Sequence, residues 1–221
     1  MSKVKQDTRV YNSGTKQLSS NPILERLTRT HFLTPIIMYS SISAVTVGYT
    51  IMYDKTNWYL TFLLYFTGMF FFSLIEYCIH RFLFHFDAET ERQKKIQYSI
   101  HGVHHEFPKD KDRLVMPPII SIFLAAFFYF VFRFTMGDAH YAFFAGFIEG
   151  YCVYLFIHYA VHRFRTPKNF LKILWQHHSL HHYGRNDTAF AVSMPLWDYV
   201  FSTMPKTKEE MEARNLTEKY L

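Results

Sequence analysis

The sequence predicts an all-α membrane protein: four transmembrane helices carrying a cytoplasmic helical cap that holds a histidine-rich dimetal site. Three observations lead there. Four stretches of the 221 residues are long and almost free of charge. The basic residues gather on one side of the hairpin pattern those stretches make. Ten of the 13 histidines fall into four groups on that same side.

Residues 1–31 are polar and of mixed charge, with no short apolar run before a small-residue cleavage site, so no signal peptide is predicted. They read as a cytoplasmic N-terminal tail whose first twenty residues are loose. The integral-membrane part, residues 32–221, follows. Residues 32–53, 56–75 and 114–132 contain no charged side chain, and residues 139–157 carry only Glu149. Each is close to the ~20 residues that cross a bilayer as a helix, which sets spans at about 32–53, 56–79, 114–134 and 139–160. Helices of a soluble bundle would each show a polar face, and these do not.

The joints give the topology. Residues 54–57 and roughly 135–138 are tight hairpins on one side, while the tail and the segments 81–113 and 161–221 lie on the other. Of 24 Lys and Arg, 22 are on the long-segment side, and only Lys55 and Arg133 lie near the hairpins. The positive-inside rule then places both termini and both long segments in the cytoplasm, of an endoplasmic reticulum or a bacterial inner membrane. Basic loops facing anionic headgroups account for the net charge of +6 without nucleic acid. Cys78 and Cys152 lie in apolar runs and imply no disulfide framework.

The histidine groups are His80 and His85; His101, His104 and His105; His158 and His162; and His178, His181 and His182. Positions i, i+3 and i+4 share a helix face, so each HxxHH triplet can present three imidazoles to one point. His158 and His162 pair one turn apart. Thr90 with Gln93 reads as a capping box ahead of the first triplet, which Pro108 closes. Thr166 then Pro167 reads as an N-cap with proline at N1 ahead of the second, with Gly184 as its stop. His80 and His85 are five apart and share no face of a regular helix, which predicts a distortion or a helix end between them. His31, His140 and His177 read as ordinary surface or core residues.

Ten convergent imidazoles make no sense as packing, because each buried ring nitrogen needs a partner. They point to metal. Imidazole suits Zn, Cu, Fe and Ni, and ten ligands suit two ions. Five ligands each leave a position open, unlike the closed tetrahedron of structural zinc, and that suits oxygen chemistry. Such an all-nitrogen pair differs from the carboxylate-rich sites of soluble four-helix bundles. Glu76 and Tyr154 lie near the metal plane and are candidate partners for imidazole N–H groups; an interfacial carboxylate paired with arginine is the other reading of Glu76. Glu149 sits deeper, where a carboxylate is costly, facing either the bundle interior or the lumenal boundary.

The segments EYCIHRFLFH (76–85), HGVHHEFPKDKDRLVMPP (101–118), HYAVH (158–162) and HHSLHHYGRNDTAFAVSMPLWDYVF (177–201) together resemble the fatty acid hydroxylase and sterol desaturase superfamily. RLVMPP and WDYVF are most similar to its fatty acid 2-hydroxylases, which act on sphingolipid acyl chains, and the match covers roughly residues 70–205. Tyr154-Leu155 and His162-Arg163 depart from the family's Tyr-Asp and His-His pairs. The resemblance implies two irons held by the ten histidines, with His104, His105, His181 and His182 as the catalytic ligands. It also implies molecular oxygen as co-substrate and hydroxylation at C2 of a long acyl chain of a membrane lipid. With no fused cytochrome b5 domain in these residues, a separate electron donor, cytochrome b5-like or ferredoxin-like, is expected. Zinc, which binds more tightly than ferrous iron, can occupy the sites in purified protein. A sterol desaturase, a sphingoid-base C4-hydroxylase or a carotenoid hydroxylase would use the same metals. From another class, a metal transporter or a zinc-stabilised membrane scaffold competes, but a transporter should carry ionisable residues through the midplane.

Overall fold

The computed structural model describes residues 10–53, 57–184 and 187–205, and among them all regular structure is helical. Most of the 54–57 joint, the first nine residues of the tail and residues 206–221 lie outside the described residues. The long helices are α2 (Leu33–Tyr53), α3 (Trp58–Cys78), α6 (Pro118–Met136) and α7 (His140–Arg163). Three continuous helical stretches are long and apolar enough to cross a membrane: Leu33–Tyr53, Trp58–Phe84 and the 46-residue Pro118–Arg163. Their outward side chains are apolar, among them Val45, Leu63, Phe66, Phe123 and Phe134.

At 1.5 Å per residue the last stretch would run about 69 Å, over twice a hydrocarbon core. It is broken at Gly137, where φ is +60°, a left-handed conformation that glycine enters without a Cβ clash. After this turn (Gly137–Ala139), α7 folds back along α6, packing Phe147 on Phe128 (4.8 Å between centroids) and Phe143 on Phe132 (4.9 Å). His140 closes the turn by donating from Nδ1 to Gly137 O at 2.6 Å. The expected start of this stretch at 114 moves to Pro118, because Pro117-Pro118 begin the helix and leave Leu114 and Val115 buried in a loop under Phe32 and Leu155.

Helices α3 and α7 approach most closely. A Cβ on Gly146 would lie 1.8 Å from Tyr65 O, and one on Gly68 would lie 2.1 Å from Phe143 O. Small residues permit such backbone contact in a membrane bundle. An aromatic core of Phe72, Phe132, Phe143 and Phe147 fills the rest. Glu149 faces the bundle rather than the far boundary: it accepts from Ser40 Oγ of α2 at 3.1 Å, in a groove shared with Ser43, Thr61 and Tyr65.

The cap is built from short pieces: α1 (Pro22–Leu27), α4 (Glu91–Gln97), α5 (Val103–Glu106), α8 (Lys172–Ser179) and α9 (Leu196–Val200). The Thr90–Gln93 capping box forms as expected. The Thr166 N-cap does not. Helix α8 starts at Lys172, and Asn169 accepts from Leu171 N in the turn before it; residues 164–171 form the joint from α7, to which Trp175 returns by donating to Phe164 O at 2.9 Å. The described part of the tail is also not loose. Tyr11 N donates to Glu106 O at 2.7 Å and its ring stacks on Phe107, while Lys16 pairs with Glu106 at 3.4 Å. Buried Arg113 pairs with Glu25 of α1, and Thr30 N donates to Asp112 O at 2.8 Å. These partners are about ninety positions away, so local composition carries no trace of them.

Candidate metal centre

Three π-helical turns carry the cap's histidines into place. The first, Ile79–Phe84, continues α3, and its i to i+5 pattern places His85 N on His80 O at 3.1 Å. A π turn puts residues five apart on one side, so the spacing that no α-helix explains becomes a shared face. Tyr98–Gly102 and Leu180–Gly184 are the other two, holding His101 in one and His181 and His182 in the other.

The ten predicted histidines come together as two groups of five. His80, His85, His101, His105 and His181 form group one; His104, His158, His162, His178 and His182 form group two. Within each group one ring nitrogen per residue lies within 4.8 Å of all the others. The triplets do not each converge on one point, as their spacing suggested. Each divides: His101 and His105 go to group one and His104 to group two, while His178 and His182 go to group two and His181 to group one. Adjacent helical residues project about 100° apart, which sends neighbours such as His104 and His105 to different centres.

The nitrogen spacing tests whether a metal fits. In group one, His101 Nε2 lies 3.0 Å from both His80 Nε2 and His105 Nε2, and His85 Nε2 lies 3.0 Å from His181 Nε2. In group two, His104 and His158 approach at 2.9 Å and His162 and His178 at 2.8 Å. Ligands at right angles around an ion with metal–nitrogen bonds of about 2.0–2.1 Å stand roughly 2.8–3.0 Å apart, whereas a tetrahedron needs about 3.4 Å. The closest nitrogens of both groups therefore have the spacing of right-angle ligands about one ion. His182 Nε2 is buried and has no hydrogen-bond partner among the described residues.

Electrostatics agree. Burial, then neighbouring imidazoles, holds the pKa of His101, His104, His105, His178 and His182 well below the usual imidazole value. His181 is lowered to about 4 by burial, partly offset by the Thr188 carbonyl and Asp198. The rings are neutral at pH 7, with a lone pair free for a cation.

The other singled-out residues fall elsewhere. Among the described residues the Glu76 carboxylate bonds no imidazole and no arginine; it accepts from Val192 N at 2.7 Å, Ser193 N at 3.2 Å and Ser193 Oγ. Its partners lie in the loop before α9. Tyr154 touches His158 by stacking, centroids 5.4 Å apart and planes 25° from parallel, and packs on Phe72. His31 is exposed and His140 lies at the far hairpin. His177 joins neither group and bonds buried Asp198 through Nε2 at 2.8 Å. Asp198 is the residue that sequence reading passed over. It sits within the quoted WDYVF, but only the fold reveals that it accepts from the amides of Phe190 and Ala191, at 2.9 and 2.8 Å.

Residues 62–203 match the model of the family described as fatty acid hydroxylase. The chain is 36% identical over 199 residues to the ceramide very long chain fatty acid hydroxylase SCS7 of Saccharomyces cerevisiae, covering 88% of this chain and 51% of that protein. It is 34% identical over 177 residues to human fatty acid 2-hydroxylase, covering 78% of this chain and 46% of that one. With the dihydroceramide fatty acyl 2-hydroxylase FAH1 of Arabidopsis thaliana it shares 34% over 142 residues, 64% of this chain and 60% of the relative. The chain thus spans about half the length of the first two relatives. A solved structure of full-length scs7p, with only the hydroxylase domain visible, superposes with a TM-score of 0.76 at 34% identity, over 83% of this chain and 70% of that one.

Proposed function

The chain belongs to the fatty acid hydroxylase family, and from that premise we propose that it hydroxylates long acyl chains of membrane sphingolipids at C2, using two irons held by the two five-histidine groups. The observation that carries the reading is the division of ten imidazoles, nine of them buried and His85 half-buried, into two adjacent five-nitrogen groups whose closest nitrogens have right-angle spacing. Closed four-ligand zinc sites would have neither the number nor the spacing. The named relatives act on ceramide or fatty acyl groups, which supports the substrate class.

The proposed topology has four spans, α2, α3, α6 and α7, since the Gly137 turn makes two crossings of the third apolar stretch. Both termini and the cap face the cytoplasm, of an endoplasmic reticulum or bacterial inner membrane, as the basic residues dictate. The proposed integral-membrane unit runs over 32–221, of which residues 206–221 lie outside the described residues.

Bound in the two groups, iron would supply dioxygen activation and oxidation of an unactivated C–H bond, with electrons from a separate cytochrome b5-like or ferredoxin-like donor. The chain supplies the rest. Burial keeps the imidazoles unprotonated and excludes bulk water. His80 follows directly on α3, and His158 and His162 lie in the last turns of α7, which supports a site near the headgroup boundary. A lipid with its polar head at that boundary brings C2, the carbon beside the head, to the level of the rings. Below it, Tyr154, Phe72 and Tyr151 form an aromatic wall against which the tail can lie. Glu76 and Tyr154 act by holding the loop and the His158 ring.

The test is turnover by iron-loaded protein in nanodiscs containing ceramide, with labelled dioxygen and a reduced donor. Labelled hydroxyl on the acyl chain is expected. Label on the sphingoid base or on an added sterol would instead assign the chain to a sister reaction.

A further inference from the structure

Between His182 and α9 the chain makes a buried turn whose Phe190 and Ala191 pack on Tyr77. Ala189 is fully buried and holds a φ of +57°, a left-handed conformation in which its Cβ is strained. Strain of this kind persists only where its surroundings over-determine it. Here the consequence is that the carbonyls on either side of Ala189 both meet group one. Thr188 O accepts from His181 Nδ1 at 2.8 Å, and Phe190 O accepts from His80 Nδ1.

Two carboxylates grip the turn from behind. Asp198 of α9 is fully buried and accepts four bonds: from Phe190 N (2.9 Å), Ala191 N (2.8 Å), Thr203 Oγ1 (2.5 Å) and His177 Nε2 (2.8 Å). Glu76 of α3 takes the next two amides, those of Val192 and Ser193, together with the Ser193 hydroxyl. Ala189 N donates to Thr203 O at 3.0 Å, closing the far side. Every amide from 189 to 193 is therefore bonded. All four groups bonded to Asp198 donate, so only an acceptor-only side chain fits there.

We propose that Asp198 and Glu76 are positioning residues, a two-carboxylate clamp that holds the Ala189 turn so that its carbonyls fix His80 and His181, making group one the tighter of the two metal sites. This rests on the reading that both groups hold metal. A ligand whose outer N–H donates to a carbonyl is locked in tautomer and orientation and is the stronger ligand for it. Group two is built differently: Nδ1 of His104, His158 and His178 is buried without a partner among the described residues.

The experiment uses zinc as the probe on the full chain in detergent, with zinc per chain measured directly and its release to a chelator followed in time. Wild type is expected to bind two zinc ions and release them in two phases. His85→Ala should remove the slow phase and His178→Ala the fast one, which assigns the phases to groups one and two. Asp198→Asn places an amide N–H against donors, and should speed the slow phase roughly 10- to 100-fold while leaving the fast phase alone. Ala189→Gly relieves the strain without changing the turn and should keep both phases, whereas branched Ala189→Val should behave like Asp198→Asn. Ser193→Ala, a milder change, should give a smaller acceleration of the slow phase only. If Asp198→Asn and Ala189→Val release both ions as wild type does, or speed both phases alike, the clamp has no selective hold and the proposal falls. Wild type that binds no zinc would overturn the ligand reading itself, and the clamp with it.

Discussion

His105 and His182 lie face to face, ring centroids 4.2 Å apart and planes 17° from parallel, although one belongs to group one and the other to group two. The two groups thus share a wall made of one histidine from each cap triplet. Neighbours in sequence, His104 beside His105 and His181 beside His182, reach opposite sides of that wall.

Loss of either wall residue should therefore cost one metal and all useful turnover. His105→Ala and His182→Ala are each expected to bind one ion instead of two. Hydroxylation should drop by more than the roughly 100-fold typical when only an outer partner is disturbed. Elemental analysis beside product formation checks this. Two ions retained by either variant would mean that residue is not a ligand.

His140 separates metal binding from folding. Its ring is wholly buried at the far hairpin, bonded to Gly137 O, and packs against Tyr129 at 4.9 Å. Sequence alone suggests that His140→Ala is silent; the structure predicts full metal content with stability lower by about 1–3 kcal/mol. Exposed His31→Ala should alter neither. Thermal unfolding with metal analysis reads both.

Gly146 sets the distance between the helices that carry the metal ligands. Gly146→Leu places a side chain where even a Cβ would lie 1.8 Å from Tyr65 O, so α3 and α7 must part. The expected result is loss of His80 in α3's π turn and His158 in α7 from a common geometry, seen as reduced metal content. Gly48→Ala, with nothing within 4 Å of the added atom, is the matched control and should bind metal normally.

The Glu25–Arg113 pair gives a pH signature. Burial alone would raise the Glu25 carboxyl, but bonds from Leu18 N, Arg29 and Ser19 N, and the Arg113 charge, lower it from 4.5 to about 2. A carboxyl lowered on folding contributes fully above its unfolded value, and that contribution is lost as pH falls through the folded one. Glu25→Gln leaves the buried Arg113 guanidinium without its counter-charge and should cost about 3 kcal/mol at pH 7. The gap between wild type and variant should stay constant above pH 4.5, narrow below it, and close near pH 2. A gap unchanged at pH 3 would mean the pair carries none of that stability.

Much of this architecture is legible in the amino-acid sequence. Charge-free stretches and basic loops follow from the cost of charge in hydrocarbon, and the HxxHH spacing follows from helical repeat. What stays hidden depends on backbone departures and distant partners. The π turn joining His80 to His85 is not encoded in apolar periodicity, which says only that the regular helix fails there. The division of each triplet needs both centres in view at once. Thr166-Pro167 looks like a helix start, yet α8 begins at Lys172. Asp198 and the Ala189 turn are recognisable only after residues 80, 181 and 198 are brought together.

C2 hydroxylation is tested most directly by expressing this chain in a host that lacks 2-hydroxylated lipids, followed by mass spectrometry of its hydrolysed acyl chains. Acyl chains one oxygen heavier are expected, with the hydroxyl at C2, and none from a host carrying His104→Ala. Unmodified acyl chains from cells whose protein carries two bound irons and a working electron donor would contradict it.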